Sequence, residues 1–309
     1  MRFTLPEIRR ASLTSMVGIE ARRFAKHPLF ILGVLAAYGV AVWASTLDTA
    51  TSGGEVHVEG VLAHPIVPAF FIGLTSLVVA ASLTRSTDVA AEAMGTAPGS
   101  EARRTLAVAG ACVVPLVAGL GWLAELFVIV AVRGTHPNEL WFPTVNDGYV
   151  WCILLALGPI SCLGGGLLGV LVGRWLRFRG AAVVAVVVVV AVDMLGQMPY
   201  AYDDDRASFR LWVPWAMFHA GGATEEELNG IPAYSQALLP GNPAWYLVYL
   251  LVLCALAVVG AIWHDRGART PRVRLVAVGL LVAAIGCFLL AALTGISDVV
   301  ISGPIDQAG

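Results

Sequence analysis

The chain has 309 residues, 58% of them apolar and 13% charged, with a mean hydropathy of +0.80. Soluble domains carry about 25% charged residues, so half that density excludes a water-exposed globule. The apolar excess excludes a disordered chain. What remains is an all-α polytopic membrane bundle.

A membrane-spanning helix needs about 20 apolar residues. Seven stretches meet this: Leu29–Leu47, Ile66–Leu83, Leu106–Val132, Val150–Val172, Ala181–Met198, Trp245–Trp263 and Val273–Ile296. Ahead of the first, Ile8–His27 reads as an amphipathic helix. Leu13, Met16, Val17, Ala21 and Phe24 recur at helical spacing among Arg9, Arg10, Arg22, Arg23 and Lys26. Such a helix is expected to lie in the interface with its apolar stripe in the acyl boundary. His27-Pro28 should end it, because proline disfavours helix at the residue before it. The basic start is too long for a cleavable signal peptide.

Between the second and third spans, Thr84–Thr105 offers a short helix over Asp88–Met94, breakers at Gly95 and Pro98-Gly99, and a capping Ser100. The third span contains Glu125 and the fifth Asp193; an intramembrane carboxylate is costly and calls for a reason. They either line a translocation path or outer gate, or pair inwardly with Gln197, Arg133 or a backbone group. In the fourth span Gly165, Gly169 and Gly173 repeat every four residues and present one small-residue face for close helix packing. Pro115 and Pro159 are the prolines placed to kink a span. The fifth span is almost wholly Ala and Val, yet in lipid a helix satisfies its backbone where a lone strand does not. The outer segment 199–244 mixes Asp203–Asp205 and Glu225–Glu227 with short apolar clusters that suit re-entrant or interfacial helices.

Charge sets the orientation. Of the 19 Lys and Arg residues, only Arg133, Arg206 and Arg210 fall on the outer side if the N-terminus is inside. The positive-inside rule therefore predicts seven spans, N-inside and C-outside. All five cysteines lie within spans without a CxxC pair and read as small apolar filler.

Several chemistries are missing from the sequence. Lys26 is the sole lysine and His27 follows it, so there is no GxxxxGK[ST] phosphate loop and no ATPase in this chain. No HExxH and no GxSxG occurs, and no histidine lies deep in a span. No catalytic, cofactor-binding or metal-binding residue is assigned.

Three runs carry a family resemblance: GIEARRFAKHPLFILG (Gly18–Gly33), EAMGTAPGSEARRTLA (Glu92–Ala107) and LLPGNPAWYLVYLLVL (Leu238–Leu253). Together they resemble the permease subunit of type-2 ABC exporters, particularly actinobacterial ones. The resemblance covers about Gly18–Trp263 and implies an N-terminal elbow helix (1–28), a six-span domain (29–263) with a coupling loop (84–105), and outer re-entrant helices (199–244). Residues 264–309, with a seventh span and an outer tail, depart from the family core. The resemblance further implies a separate ATPase subunit that binds ATP and Mg, a second permease chain, alike or different, and no nucleic acid. It implies that Glu92, Thr96, Pro98, Arg103 and Arg104 dock the ATPase, and that Glu125, Asp193 and Gln197 lie near the path. The expected function is outward transport of an amphipathic or hydrophobic molecule across a bacterial inner membrane. The alternative is a membrane scaffold or sensor that holds a cytoplasmic partner.

Overall fold

The computed structural model describes residues 12–51, 67–94, 100–133, 146–176, 178–196, 220–222, 236–238, 241–296 and 300–301. Apart from three short strands, their regular structure is helical. The order is α1 (Leu13–Ala25), α2 (Pro28–Thr51), α3 (Leu74–Met94), α4 (Glu101–Ala111), α5 (Val113–Arg133), α6 (Asp147–Leu155), α7 (Ser161–Trp175), α8 (Ala181–Gly196), α9 (Pro243–Ile262) and α10 (Pro271–Leu293). Helices α4 and α5 run as one span, as do α6 and α7.

Among the described residues five helices are long and apolar enough to cross a membrane, or six if the bent pair α1–α2 counts as one span. The fifth sequence stretch is helical as expected, but its apolar described part, Ala181–Val192, is short. Large apolar side chains stand exposed along α2, α5, α8 and α10, among them Leu35, Val128, Val187 and Leu275. A surface of this kind belongs against lipid rather than water. The chain is thus a plausible multi-pass helical membrane protein.

Ser12 caps α1 by accepting the Ser15 N–H at 3.2 Å. Pro28 ends it, and α2 departs at 62°. The elbow is held by Phe24 and Phe30, whose rings meet edge to face at 5.2 Å. One expectation is corrected here. The apolar stripe of α1 faces the protein instead of the acyl boundary: Phe24 is buried and Val17 sits where a side chain on Gly110 of α4 would go. Two apolar surfaces that can cover each other leave less of the stripe for lipid.

A second correction concerns Asp88–Met94, which is no separate helix. It continues α3 about three turns past the apolar run that ends at Leu83, since nothing between Thr84 and Met94 breaks a helix. Ser100 then caps α4 as expected, accepting the Arg103 N–H at 3.3 Å.

The third span breaks at Cys112, whose N–H turns back to Ala109. Pro115 explains the position, because its ring cannot pass the carbonyl of residue 111 in a regular helix. Pro159 acts differently. It offers no N–H to Leu155, and the chain widens into a π-turn over Ala156–Ile160. Ser161 Oγ donates to the Ala156 carbonyl at 2.6 Å and the backbone of α5 approaches this turn at Gly119. A second π-turn, Ala69–Gly73, opens the helix that becomes α3.

Helix α7 is the centre of the bundle. The apolar stretch of its span is 78% buried, against 22% for that of α10. It packs most extensively on α3, and also on α9, α5, α8 and α4. Gly165 faces the backbone of Gly73, Gly169 that of Leu77, and Gly173 that of Ala81. The matched residues ascend together along both helices, so α3 and α7 run parallel. This small-residue face is therefore filled by a helix of the same chain.

Helices α9 and α10 form an antiparallel hairpin closed at its far end. Gly241 and Ile296 exchange backbone bonds at 2.9 and 2.8 Å, and Asn242 N–H donates to Ala291 at 2.7 Å. Gly295, at φ +97°, makes the turn that only glycine adopts readily. Within 199–244 the described pieces short of Gly241 are strands, not helices. Strands β1 (Ala220–Gly222) and β2 (Gln236–Leu238) pair antiparallel, and β2 pairs with β3 (Val300–Ile301). The remainder of that segment lies outside the described residues.

Candidate functional site

The ends of α1, α3, α4, α7 and α9 gather at one end of the bundle, the end that carries most of the arginines. A polar layer ties them together. At its centre, Glu101, the first residue of α4, sits 2.5 Å from His264 Nδ1 and 3.8 Å from Arg174 Nη1. His264 follows α9, and Arg174 stands in the last turn of α7. Arg174 is 1% exposed, the most buried charge described. A guanidinium out of water requires ionic and hydrogen-bonded partners, and Glu101 is one of them.

The neighbouring contacts extend the layer. Asp265 accepts the Ala102 N–H at 3.0 Å and the Gly267 N–H at 2.9 Å. It thereby places a carboxylate on the N-terminus of α4, where the helix dipole favours negative charge. Trp175 donates its indole N–H to the Gly260 carbonyl at 2.9 Å and meets the His264 ring edge to face. Glu20 of α1, also buried, accepts both 2.9 Å bonds from Arg23 Nη1. Arg23 reaches on to Ser86 Oγ of α3 at 2.9 Å. The elbow helix, the end of the second span, and the third, fourth and sixth spans are thus joined through side chains.

Arg103 and Arg104 stand beside Glu101 in the first turn of α4, both partly exposed. Glu92 lies in the last turn of α3, but its side chain is outside the described residues, as are Thr96 and Pro98 altogether. Glu125 sits in α5, with Oε2 buried and without a hydrogen-bond partner among the described residues. One turn earlier, Tyr38 of α2 lies against Gly121 and donates to the Ala118 carbonyl at 3.0 Å. Asp193 is in the last turn of α8, but its side chain and all of Gln197 fall outside the described residues. Helix α8 packs on α3 and α7, whereas α5 packs on α2, α7 and the π-turn at Pro159. No extensive packing therefore brings the helices of Glu125 and Asp193 together.

Sequence reading missed Glu101, Arg174, His264 and Asp265. A signal was present. Asp265 is the sole acidic residue of the basic stretch 264–274 and proves to be partnered, as do Glu20 and Glu101. Among the described residues, no group of three or more His, Cys, Asp or Glu could hold a metal ion. No family model, curated protein or solved structure matches the chain.

Proposed function

We propose that the chain is the permease subunit of an ATP-driven exporter of the type-2 ABC kind, seated in a bacterial inner membrane. The observation that carries this reading is the elbow: an amphipathic arm bent 62° from the first span, packed on α4 beside the 84–105 connection. Two of the three runs that resemble this family, Gly18–Gly33 and Glu92–Ala107, fall on the same parts. In this reading seven spans run N-inside and C-outside, and the arginine-rich end faces the cytoplasm.

A separate ATPase supplies the energy, binding ATP and Mg and seating on Glu92, Thr96, Pro98, Arg103 and Arg104. Movement of that seat is passed through Glu101 and Asp265 to α7 and α9, and through the glycine face of α7 to α3. Such a switch requires the ATPase to bind the two states of the permease with different free energies. In this reading the path lies between two permease chains, with Glu125, Asp193 and Gln197 toward its outer end. The cargo is an amphipathic or hydrophobic molecule. The close backbone packing of α3 on α7 also favours a second reading, a scaffold or sensor holding a cytoplasmic partner without transport.

Affinity purification of the full chain from its own cells separates the two. An exporter brings down an ATP-binding subunit in equal ratio, and a scaffold does not. Arg103→Glu, alone and with Arg104→Glu, is expected to lower stimulated ATP hydrolysis by at least about tenfold while helical circular dichroism stays unchanged. Full stimulation in the double variant would refute the docking assignment. Orientation is checked with Ser100→Cys in intact cells. A membrane-impermeant maleimide should leave this position unlabelled until the membrane is opened, and labelling from outside would invert the topology.

A further inference from the structure

We propose that a groove between α7 and α9, at the arginine-rich end, binds one anionic phospholipid of the surrounding bilayer. The groove has a volume of about 450 Å³ and is lined by Leu171, Val172, Trp175, Leu176, Gly260 and Trp263. Its lining is apolar, and Trp175 and Leu176 are exposed at its side. The indole bond from Trp175 to the Gly260 carbonyl fixes one wall. Gly260 lines the floor without a side chain, and a Cβ there would press on Leu171 Cδ1, another lining atom, at 3.2 Å.

Two guanidinium groups are anchored to the rim. Arg85 donates Nη2 to the Leu176 carbonyl at 3.0 Å, and Arg269 donates Nε to the Trp263 carbonyl at 2.9 Å. Each bond uses a lining residue's main chain and leaves other N–H groups of the fork for an anion. Planar guanidinium forks suit phosphate oxygens, and tryptophans favour headgroup depth. An occupant must therefore present an apolar chain and an anion together. A free phosphate would leave the apolar floor uncovered, and a zwitterionic lipid carries a cation that opposes the arginines. This site requires only that the bundle sits in a membrane, and it is independent of the export reading.

The test uses the full chain in mixed micelles with equal phosphatidylglycerol and phosphatidylcholine, with bound lipid counted by native mass spectrometry. One phosphatidylglycerol per chain is expected to be retained in preference to phosphatidylcholine. Arg85→Gln with Arg269→Gln should lower that preference about 25-fold, since each arginine near an anionic lipid surface contributes about fivefold. Gly260→Val keeps both charges, fills the floor and should release the retained lipid. Equal retention of the two lipids by the wild-type chain overturns the proposal. So does a preference that survives the double arginine substitution, or lipid retention unchanged in Gly260→Val. If the arginine variant does not fold, the wild-type competition and Gly260→Val decide.

Discussion

Gly169→Ala is expected to leave little folded protein. A Cβ at this position would overlap the Leu77 carbonyl oxygen and fall 2.8 Å from Leu77 Cα and 2.9 Å from its carbonyl carbon. These are backbone atoms of a helix packed along its length, so neither side can yield by a rotamer change. Forcing α3 and α7 apart would also open the contacts at Gly165 and Gly173, because the three glycines share one face. Overpacking of a well-filled core costs about 1–3 kcal/mol and sometimes more; a backbone-to-backbone contact at the most buried helix puts Gly169→Ala at or above about 3 kcal/mol. Thermal unfolding in detergent, with the yield of monodisperse chain, measures it. Gly279→Ala on α10 is the control, since no described atom beyond its own stretch of helix lies within 4 Å of its Cβ position. It should be neutral or stabilising by up to about 1 kcal/mol. If Gly169→Ala unfolds at the wild-type temperature, α3 and α7 are not in backbone contact.

Glu101→Ala should cost about 3 kcal/mol, because it deprives Arg174 of an ionic partner inside the protein. The Arg174 side chain is 0% exposed and that of Glu101 27%, so the arginine is the group that water cannot rescue. The double variant Glu101→Ala/Arg174→Met removes the buried charge with its partner and should recover part of the loss. A coupling of at least about 1 kcal/mol in the double-mutant cycle is expected for groups in one network. Strictly additive losses, read by thermal unfolding of the four chains, would show that the two side chains do not support each other. In the export reading the same cycle has a second readout. Glu101→Ala should weaken stimulation of the partner ATPase at temperatures where the chain remains folded, because α4 loses its ties to α7 and α9 through this side chain.

The helices of the first third of the chain show how local signals and packing divide the work. Pro28 and Ser100 act on their own neighbours, so the end of α1 and the start of α4 were legible from residue order alone. The start of α1, read at Ile8, lies instead at Leu13 after the capping Ser12. The Asp88–Met94 helix was read as separate because the apolar run ends at Leu83. A membrane boundary, however, does not break a helix, and only Gly95 and the residues after it could. The destination of the α1 stripe was also hidden. An apolar stripe can face lipid or protein with the same periodicity, and a gap opposite Val17 exists only because Gly110 has no side chain.

Composition and hydropathy by themselves determined that this is a helical chain for a membrane, because backbone groups in lipid must be satisfied within each segment. The order of helices and most of their limits follow from the same local requirement. Tertiary structure decided which charges meet. Glu101 and His264 are 163 residues apart, and Arg174 looks in sequence like any topogenic arginine after a span. Only the packing of α4, α7 and α9 brings them into one layer, since the energy of a buried charge depends on neighbours that chain order does not specify.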